Sequence, residues 1–421
     1  MPTHAQTPPL VSPSAVTAAP ATGTDSAPRT LALPELIQTV LTHNSDLLAA
    51  QQAQVGAVAG VRSASAYANP RLEWQTGRNQ ARLPGTPTGH VQGWGVSQLL
   101  ENPAARSARV DAASAHARGS EHAVALTRNA LVGETRLRAS EYLLRRAEAT
   151  VSSEDLALLE QVRERVRLRV RSGEAPRYEV IKADAEIVHA RERQQTAALH
   201  AEQVLVSLNR LAAGKLPARW TLSGSLQDSE PQPVLSELQQ QAEAHNPELR
   251  ALQAEVDRAE AQLRGARASR LPGVEVRLGQ TREPDIRQST LGLNVQLPLF
   301  DQRGGAIDEA AAELTRQRGR LDGRRAELRE QVRLAWQSLE IARLRVQALS
   351  EGVVKDAEAA LRVAQAAYQF GERGILDVLD AQRLLRSARA DLLLARFQVQ
   401  AARIELDTLV GRFADPSHTP L

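Results

Sequence analysis

The sequence repeats itself once over almost its full length. His43-Asn44-Ser45-Asp46-Leu47 returns as His245-Asn246-Pro247-Glu248-Leu249, and the same offset of about 202 residues carries Pro70, Glu73 and Gly77 onto Pro272, Glu275 and Gly279. Further on, Ser172-Gly173-Glu174 returns as Phe370-Gly371-Glu372 and Glu179-Val180 as Asp377-Val378, at an offset of about 198. Small stacked solenoid units repeat every ~20 to 50 residues. Each copy here is therefore a large structural unit, and whatever one copy folds into, the chain contains two.

Within a copy the pattern reads helix, strand pair, long helix, turn, helix. A first helix is expected over about 34–66 and its counterpart over about 234–269, each starting near a proline or an apolar residue and each ended by a proline, Pro70 and Pro272. Short alternating segments follow. Leu72, Trp74 and Thr76 alternate with Glu73 and Gln75, and Val274, Val276 and Leu278 alternate with Glu275 and Arg277. A Pro/Gly-rich connection (82–89 and 282–288) leads to a returning run, 91–99 in copy one. In copy two Leu291, Leu293, Val295, Leu297 and Leu299 enclose Asn294 and Gln296. Period-two alternation of this kind gives a strand with one apolar and one polar face.

Proline-free helices are then expected over about 104–171 and 305–370. Val354, Ala357, Leu361, Ala364 and Tyr368 step by three and four, and so do Leu385, Ala388, Leu392, Ala395, Val399, Ala402, Leu406 and Leu409 after the turn. That is the seam of a coiled coil. At ~1.5 Å per residue such helices extend roughly 100 Å, a length that suits a conduit or spacer. The composition agrees, with aromatics at only 3% and apolar residues dominated by Ala, Leu and Val.

Four strands with an apolar outer face cannot close a membrane barrel by themselves, because such barrels start at about eight strands and lipid tolerates no open sheet edge. Three chains pooling their strands would supply twelve. The chain divides accordingly into an N-terminal tail 1–30, a first repeat 31–214, a linker 215–232, a second repeat 233–411 and a C-terminal tail 412–421. The tail Met1–Thr30 is rich in Pro, Ala, Thr and Ser and has neither a basic start nor an apolar core, so it does not read as a signal peptide. Export would then require a leader upstream or a start placed elsewhere.

Other classes find little support. The 52 basic and 49 acidic residues form no single-sign block of the kind that binds nucleic acid, and there is no cysteine to form a disulfide or a thiolate metal site. The histidines fall at spacings, such as His116/His122 and His189/His200, that do not place two ligands on one helix face. No P-loop, dinucleotide fingerprint or GxSxG elbow occurs, so no cofactor site and no enzyme is expected.

The segments NPRLEWQTGR at 69–78, LPGVEVRLGQ at 271–280 and above all YQFGERGILDVLDAQ at 368–382 resemble the TolC family of outer-membrane efflux proteins. The resemblance covers roughly residues 31–412. The short length and the strand-entry motif are most similar to the CzcC-type branch that serves heavy-metal efflux. It implies a mainly α fold with a β part: a long coiled-coil helical barrel in the periplasm, plus four strands per chain completing a twelve-stranded barrel in a homotrimer. It also implies a periplasmic adaptor, an inner-membrane pump of the resistance-nodulation-division class, outer-membrane lipid around the barrel, and a passive role as exit duct. Multidrug efflux or type I secretion ducts share this pattern, and a soluble periplasmic coiled-coil adaptor is the alternative of a different class.

The same resemblance assigns candidate residues. Gly173 and Gly371 mark the two helix-hairpin tips where the adaptor would dock. Asp377 and Asp380, three apart on the returning helix, would form an acidic constriction under threefold symmetry, a ring that favours cations. Arg373, Tyr368 and Glu179 are expected to hold neighbouring tips closed. Copy one has Lys182 where copy two has Asp380, and Pro176 stiffens its turn. Trp74, Trp94, Leu293 and Val295 are expected on the barrel strands.

Overall fold

A computed structural model describes residues 29–80, 85, 87–227 and 231–415. The expected tail over 1–28, residues 82–84 and 86 of the first hairpin connection, and the last six residues lie outside that description.

The first copy opens with strand β1 (Arg29–Leu31) and helices α1 (Leu33–His43) and α2 (Ser45–Ser65); the second opens with α5 (Leu235–His245) and α6 (Pro247–Ala268). The single helix expected in each copy is thus two, broken at Asn44 and at Asn246. The break is made by the asparagine itself, whose backbone is extended. Asn44 Oδ1 accepts from the amides of Asp46 and Leu47 at 3.0 and 3.1 Å, and its Nδ2 donates to the carbonyl of Leu211 at 3.1 Å. Asn246 repeats the arrangement with Glu248, Leu249 and the carbonyl of Leu409. One buried side chain therefore caps the helix that follows it and ties it to the end of a distant one. Loss of an N-cap costs ~1 to 2 kcal/mol, and here a buried carbonyl is orphaned as well. We expect Asn246→Ala to lower the free energy of unfolding by at least that amount and Asn246→Asp, which keeps the cap oxygen, by less; equal unfolding free energies by chemical denaturation would refute the tie.

The strands are β2 (Arg71–Asn79), β3 (Gly89–Leu100), β5 (Val274–Arg282) and β6 (Arg287–Val295), with a short β4 (Trp220–Leu222) between the repeats. β2, β3, β5 and β6 form one antiparallel sheet in that order, joined across the repeats at β3–β5. The alternating run expected to reach Leu299 stops at Val295, because Pro298 has no N–H for the ladder. Leu297, Leu299 and Phe300 follow it, exposed. Register places Leu72, Trp74, Trp94, Val96, Val274, Val276, Leu278, Leu291, Leu293 and Val295 on one face. Glu73, Gln75, Arg277, Glu275 and Asn294 lie on the other, where Arg277 pairs with Glu73 at 3.5 Å and Asn294 donates to Glu275 at 3.4 Å.

Below the sheet run α3 (Pro103–Arg171) and α4 (Arg177–Leu211) of the first copy, and α7 (Gly304–Ala348), α8 (Val354–Gln369) and α9 (Ile375–Val410) of the second. The expected 305–370 helix is interrupted by a π-helical turn at Leu349–Val353, which separates α7 from α8. α3 packs along α4 and α9, and α9 along α7 and α8, leaving α4 and α7–α8 as outer members of the layer. Three apolar clusters hold it together. One gathers α1, upper α3 and the end of α4 with Trp220, Leu222 and Phe413, another joins α5, α6 and α7 to the end of α9, and a third fills the coiled coils toward the tips.

The stretch read as a linker is consequently structural. Trp220 of β4 stacks on Tyr142 at 6.4 Å, and β4 pairs in parallel with β1. Of the expected C-terminal tail, Phe413 is buried and its amide donates to Asn129 Oδ1 at 3.1 Å.

Candidate functional site

The two helix hairpins end in matching turns. The amide of Glu174 donates to the carbonyl of Arg169 at 2.9 Å, and that of Glu372 to the carbonyl of Ala367 at 2.9 Å, with a tighter bond nested inside each from Gly173 to Val170 and from Gly371 to Tyr368. This is the Schellman closure, which needs a left-handed residue at its corner. Gly173 (φ +77°) and Gly371 (φ +72°) supply it. An added side-chain carbon would meet open space at Gly173 and nothing closer than 3.8 Å at Gly371. Backbone conformation rather than crowding requires glycine there.

The tips of the two repeats are fastened to each other within one chain. Tyr368, at the end of α8, is buried, and its hydroxyl donates to Glu179 Oε2 on α4 at 3.3 Å. Arg169, at the end of α3, lays its guanidinium 4.6 Å from the Tyr368 ring centre and donates to the Tyr368 carbonyl at 3.0 Å. Burial, and then the neighbouring Glu179 carboxylate, push the Tyr368 phenol above its ordinary range, so it remains a neutral donor. Two of the three residues expected to act together, Tyr368 and Glu179, therefore meet. Arg373 does not join them: it turns onto its own helix and pairs with Asp377 at 3.6 Å.

Asp380 is exposed and pairs with Arg383 at 3.2 Å. Arg383 also grips Glu186 of α4, whose carboxyl burial alone would raise; the bond and charge of Arg383, with Arg193 and Arg386, outweigh burial and hold it below the usual carboxylate range. Higher up α3, Asp155 has a side chain only 8% exposed and pairs with Arg193 at 3.3 Å, while Gln382 donates to it at 2.9 Å. Arg169, Glu186, Arg383 and Asp155 were not among the residues singled out from sequence. The repeat gives no cue for any of them: Ala367 stands where symmetry would place Arg169, Val353 for Asp155, Leu384 for Glu186 and Ala185 for Arg383. In copy one, the Lys182 ammonium that replaces Asp380 lies 5.6 Å from the Tyr178 ring. Among the described residues no three metal-ligating side chains converge, and no helix is long and apolar enough to cross a membrane.

Trp74 and Trp94 are register partners on the exposed apolar face of the sheet, and Leu293 and Val295 lie on that face of β6. A duplicated chain of this kind, with two long helical hairpins below a four-stranded sheet that has one exposed apolar face, has a TolC-like fold. Comparison places it among known proteins. Residues 238–412 match the family model for Outer membrane efflux protein. It is 28% identical over 246 residues to the cobalt-zinc-cadmium resistance protein CzcC of Cupriavidus metallidurans, an alignment covering 58% of this chain and 59% of that protein. The chain thus matches about three fifths of that curated relative's length. Among solved structures, a membrane protein from Pseudomonas aeruginosa superposes with a TM-score of 0.79 at 20% identity, over 98% of this chain and 99% of that one. The open state of the MtrE outer membrane channel of Neisseria gonorrhoeae gives 0.77 at 20% identity, over 90% and 88%.

Proposed function

We propose that the protein is the outer-membrane exit duct of a tripartite efflux system, working as a homotrimer with a periplasmic adaptor and an inner-membrane resistance-nodulation-division pump, and that its cargo is heavy-metal cations. The observation that carries the channel reading is the sheet. Leu72, Leu291 and Leu293 are 76%, 73% and 71% exposed on one face, while the outer edges of β2 and β6 pair with no other strand among the described residues. Nine-residue strands at ~3.3 Å per residue and a tilt near 45° are long enough for a bilayer. Three sheets closed edge to edge satisfy every backbone group.

The helices support the same closure. The outer members carry exposed apolar stripes, Ile181, Val188, Leu199 and Val206 on α4 and Leu334, Ile341 and Val363 along α7–α8. They lie at opposite edges of the layer, as a head-to-tail ring requires. The duct is passive in this reading, and energy comes from the pump. The metal cargo rests on the likeness to CzcC. Growth of a strain lacking the gene, against graded zinc, cobalt, cadmium, copper and silver beside drugs and detergents, tests it. Sensitivity confined to divalent metals and restored by the gene is the expected result; sensitivity to drugs alone would move the channel to a multidrug system.

In the trimer Asp377 and Asp380 would bring six carboxylates to the mouth. Asp377→Ala with Asp380→Ala is expected to raise the current through reconstituted trimers and to shift the reversal potential in a salt gradient toward zero cation preference. Unchanged conductance and selectivity would place the constriction elsewhere.

A further inference from the structure

The outer face of the sheet changes character toward the hairpins. Register sets its side chains in rows across the strands: Leu72, Val96, Leu278 and Leu291; then Trp74, Trp94, Gln280 and Ser289; then Thr76, Gln92, Arg282 and Arg287; and last Arg78 opposite His90. Apolar residues give way to an aromatic and amide row and then to arginines. The tryptophan row stands one pleat, ~7 Å, below the Arg282–Arg287 pair. That is the sequence of chemistries from hydrocarbon to headgroup.

The arginines of this face differ from those of the other. Arg277, on the inner face, is matched by Glu73 at 3.5 Å. Arg282 and Arg287 are direct cross-strand partners of like sign, an arrangement that is unfavourable unless an anion lies between them. Arg78 and His90 are likewise opposite each other, and the His90 ring nitrogen is engaged by Thr76 Oγ1 at 3.1 Å. All four are exposed. No acidic side chain shares this face of the sheet among the described residues. Glu283, the next residue after Arg282, accepts from Asn79 Nδ2 at 3.3 Å on the inner side. Asp285 lies in the turn between Arg282 and Arg287, yet among the described residues Arg78, Arg282 and Arg287 form no ion pair, and a cationic row bordering an apolar band calls for anions held at the height of the membrane surface. Guanidinium groups bind phosphate through paired, planar hydrogen bonds.

We propose that Arg78, Arg282 and Arg287, with His90 beside them, form a binding site for a bis-phosphorylated lipid headgroup in the leaflet that meets the hairpin ends. The inference rests on the reading of this face as membrane-exposed. Two basic points are present, the Arg282–Arg287 pair on β5 and β6 and Arg78 on β2. The nearer of these strands lie two strand spacings apart, or about 10 Å. That separation suits a headgroup with two phosphates on a sugar scaffold better than a single phosphodiester. Trp74 and Trp94 would lie against the acyl chains directly beneath.

The test is native mass spectrometry of the full-length protein in detergent, titrated with a bis-phosphorylated disaccharide lipid, its enzymatically dephosphorylated form and phosphatidylcholine. Wild type is expected to retain the phosphorylated lipid at least ~10-fold more tightly than either other lipid, a difference of about 1.4 kcal/mol, and to lose the preference as salt is raised. Arg78→Gln with Arg282→Gln and Arg287→Gln should abolish the preference, Arg282→Lys with Arg287→Lys should keep part of it, and Arg303→Gln, at the opposite end of the strands, should keep all of it. If the glutamine variant fails to assemble, the comparison of phosphorylated with dephosphorylated lipid on wild type decides alone. Equal retention of all three lipids by wild type would overturn the inference and leave the membrane reading standing. Retention of none would overturn both.

Discussion

Leu293→Arg is expected to remove the protein from the outer membrane. An arginine on the lipid face of a barrel strand costs ~2 to 4 kcal/mol at the bilayer midplane. Three copies in a trimer would cost roughly 6 to 12 kcal/mol, the scale of a domain's entire stability. Leu293 is opposite Val276 in the register, within the apolar rows and far from the basic row at the hairpins. Its neighbour supplies the control: Asn294 is on the opposite face and donates to Glu275 at 3.4 Å, so Asn294→Arg should be tolerated. The measurement is the amount of trimer in outer-membrane fractions run unheated in detergent. Equal trimer for wild type and Leu293→Arg would mean that this face does not meet lipid, and the barrel reading would fall with it.

The sheet was legible in the sequence because strand alternation is a local signal and because the duplication showed it twice. Leu72-Glu73-Trp74 and Val274-Glu275-Val276 have the same two-residue period, and the sheet keeps their parity. The helix breaks at Asn44 and Asn246 were present in the most conspicuous repeated segment, yet apolar spacing continues through them and hid the change of direction. β1 and β4, three residues each, are too short for any period to register. The interior of the tip was least legible. Tyr368 and Glu179 were found through the resemblance, but Arg169 and Asp155 have no counterpart in the other repeat. Their importance lies in contacts spanning about 200 residues of chain, and helical periodicity says nothing about which charged residue across a seam will be its partner.

Those contacts make the tip the place where a modest change should have a large result. In the proposed duct, opening the periplasmic mouth would separate the α8–α9 hairpin from α3 and α4; Tyr368, Glu179 and Arg169 bind them at the turn, and Arg383 to Glu186 and Gln382 to Asp155 bind them further up. A side-chain hydrogen bond contributes a net ~0.5 to 1.5 kcal/mol. If opening breaks the Tyr368–Glu179 bond in all three protomers, Tyr368→Phe shifts the closed-to-open equilibrium by about 3 kcal/mol, or roughly 100-fold. The ring that Arg169 covers at 4.6 Å is kept in that variant, so the fold of the turn should survive. Arg169→Ala removes the cation over the ring and the bond to the Tyr368 carbonyl, and should open the channel at least as far. Arg373→Ala removes only an exposed i,i+4 pair with Asp377, worth ~0.3 to 0.5 kcal/mol, and should leave the open fraction nearly as it was. Single-channel recordings of reconstituted trimers rank the three. The order Arg169→Ala, then Tyr368→Phe, then Arg373→Ala locates the closing force between the two repeats of one chain. A dominant effect of Arg373→Ala would instead place it in a contact that Arg373 makes with a neighbouring protomer.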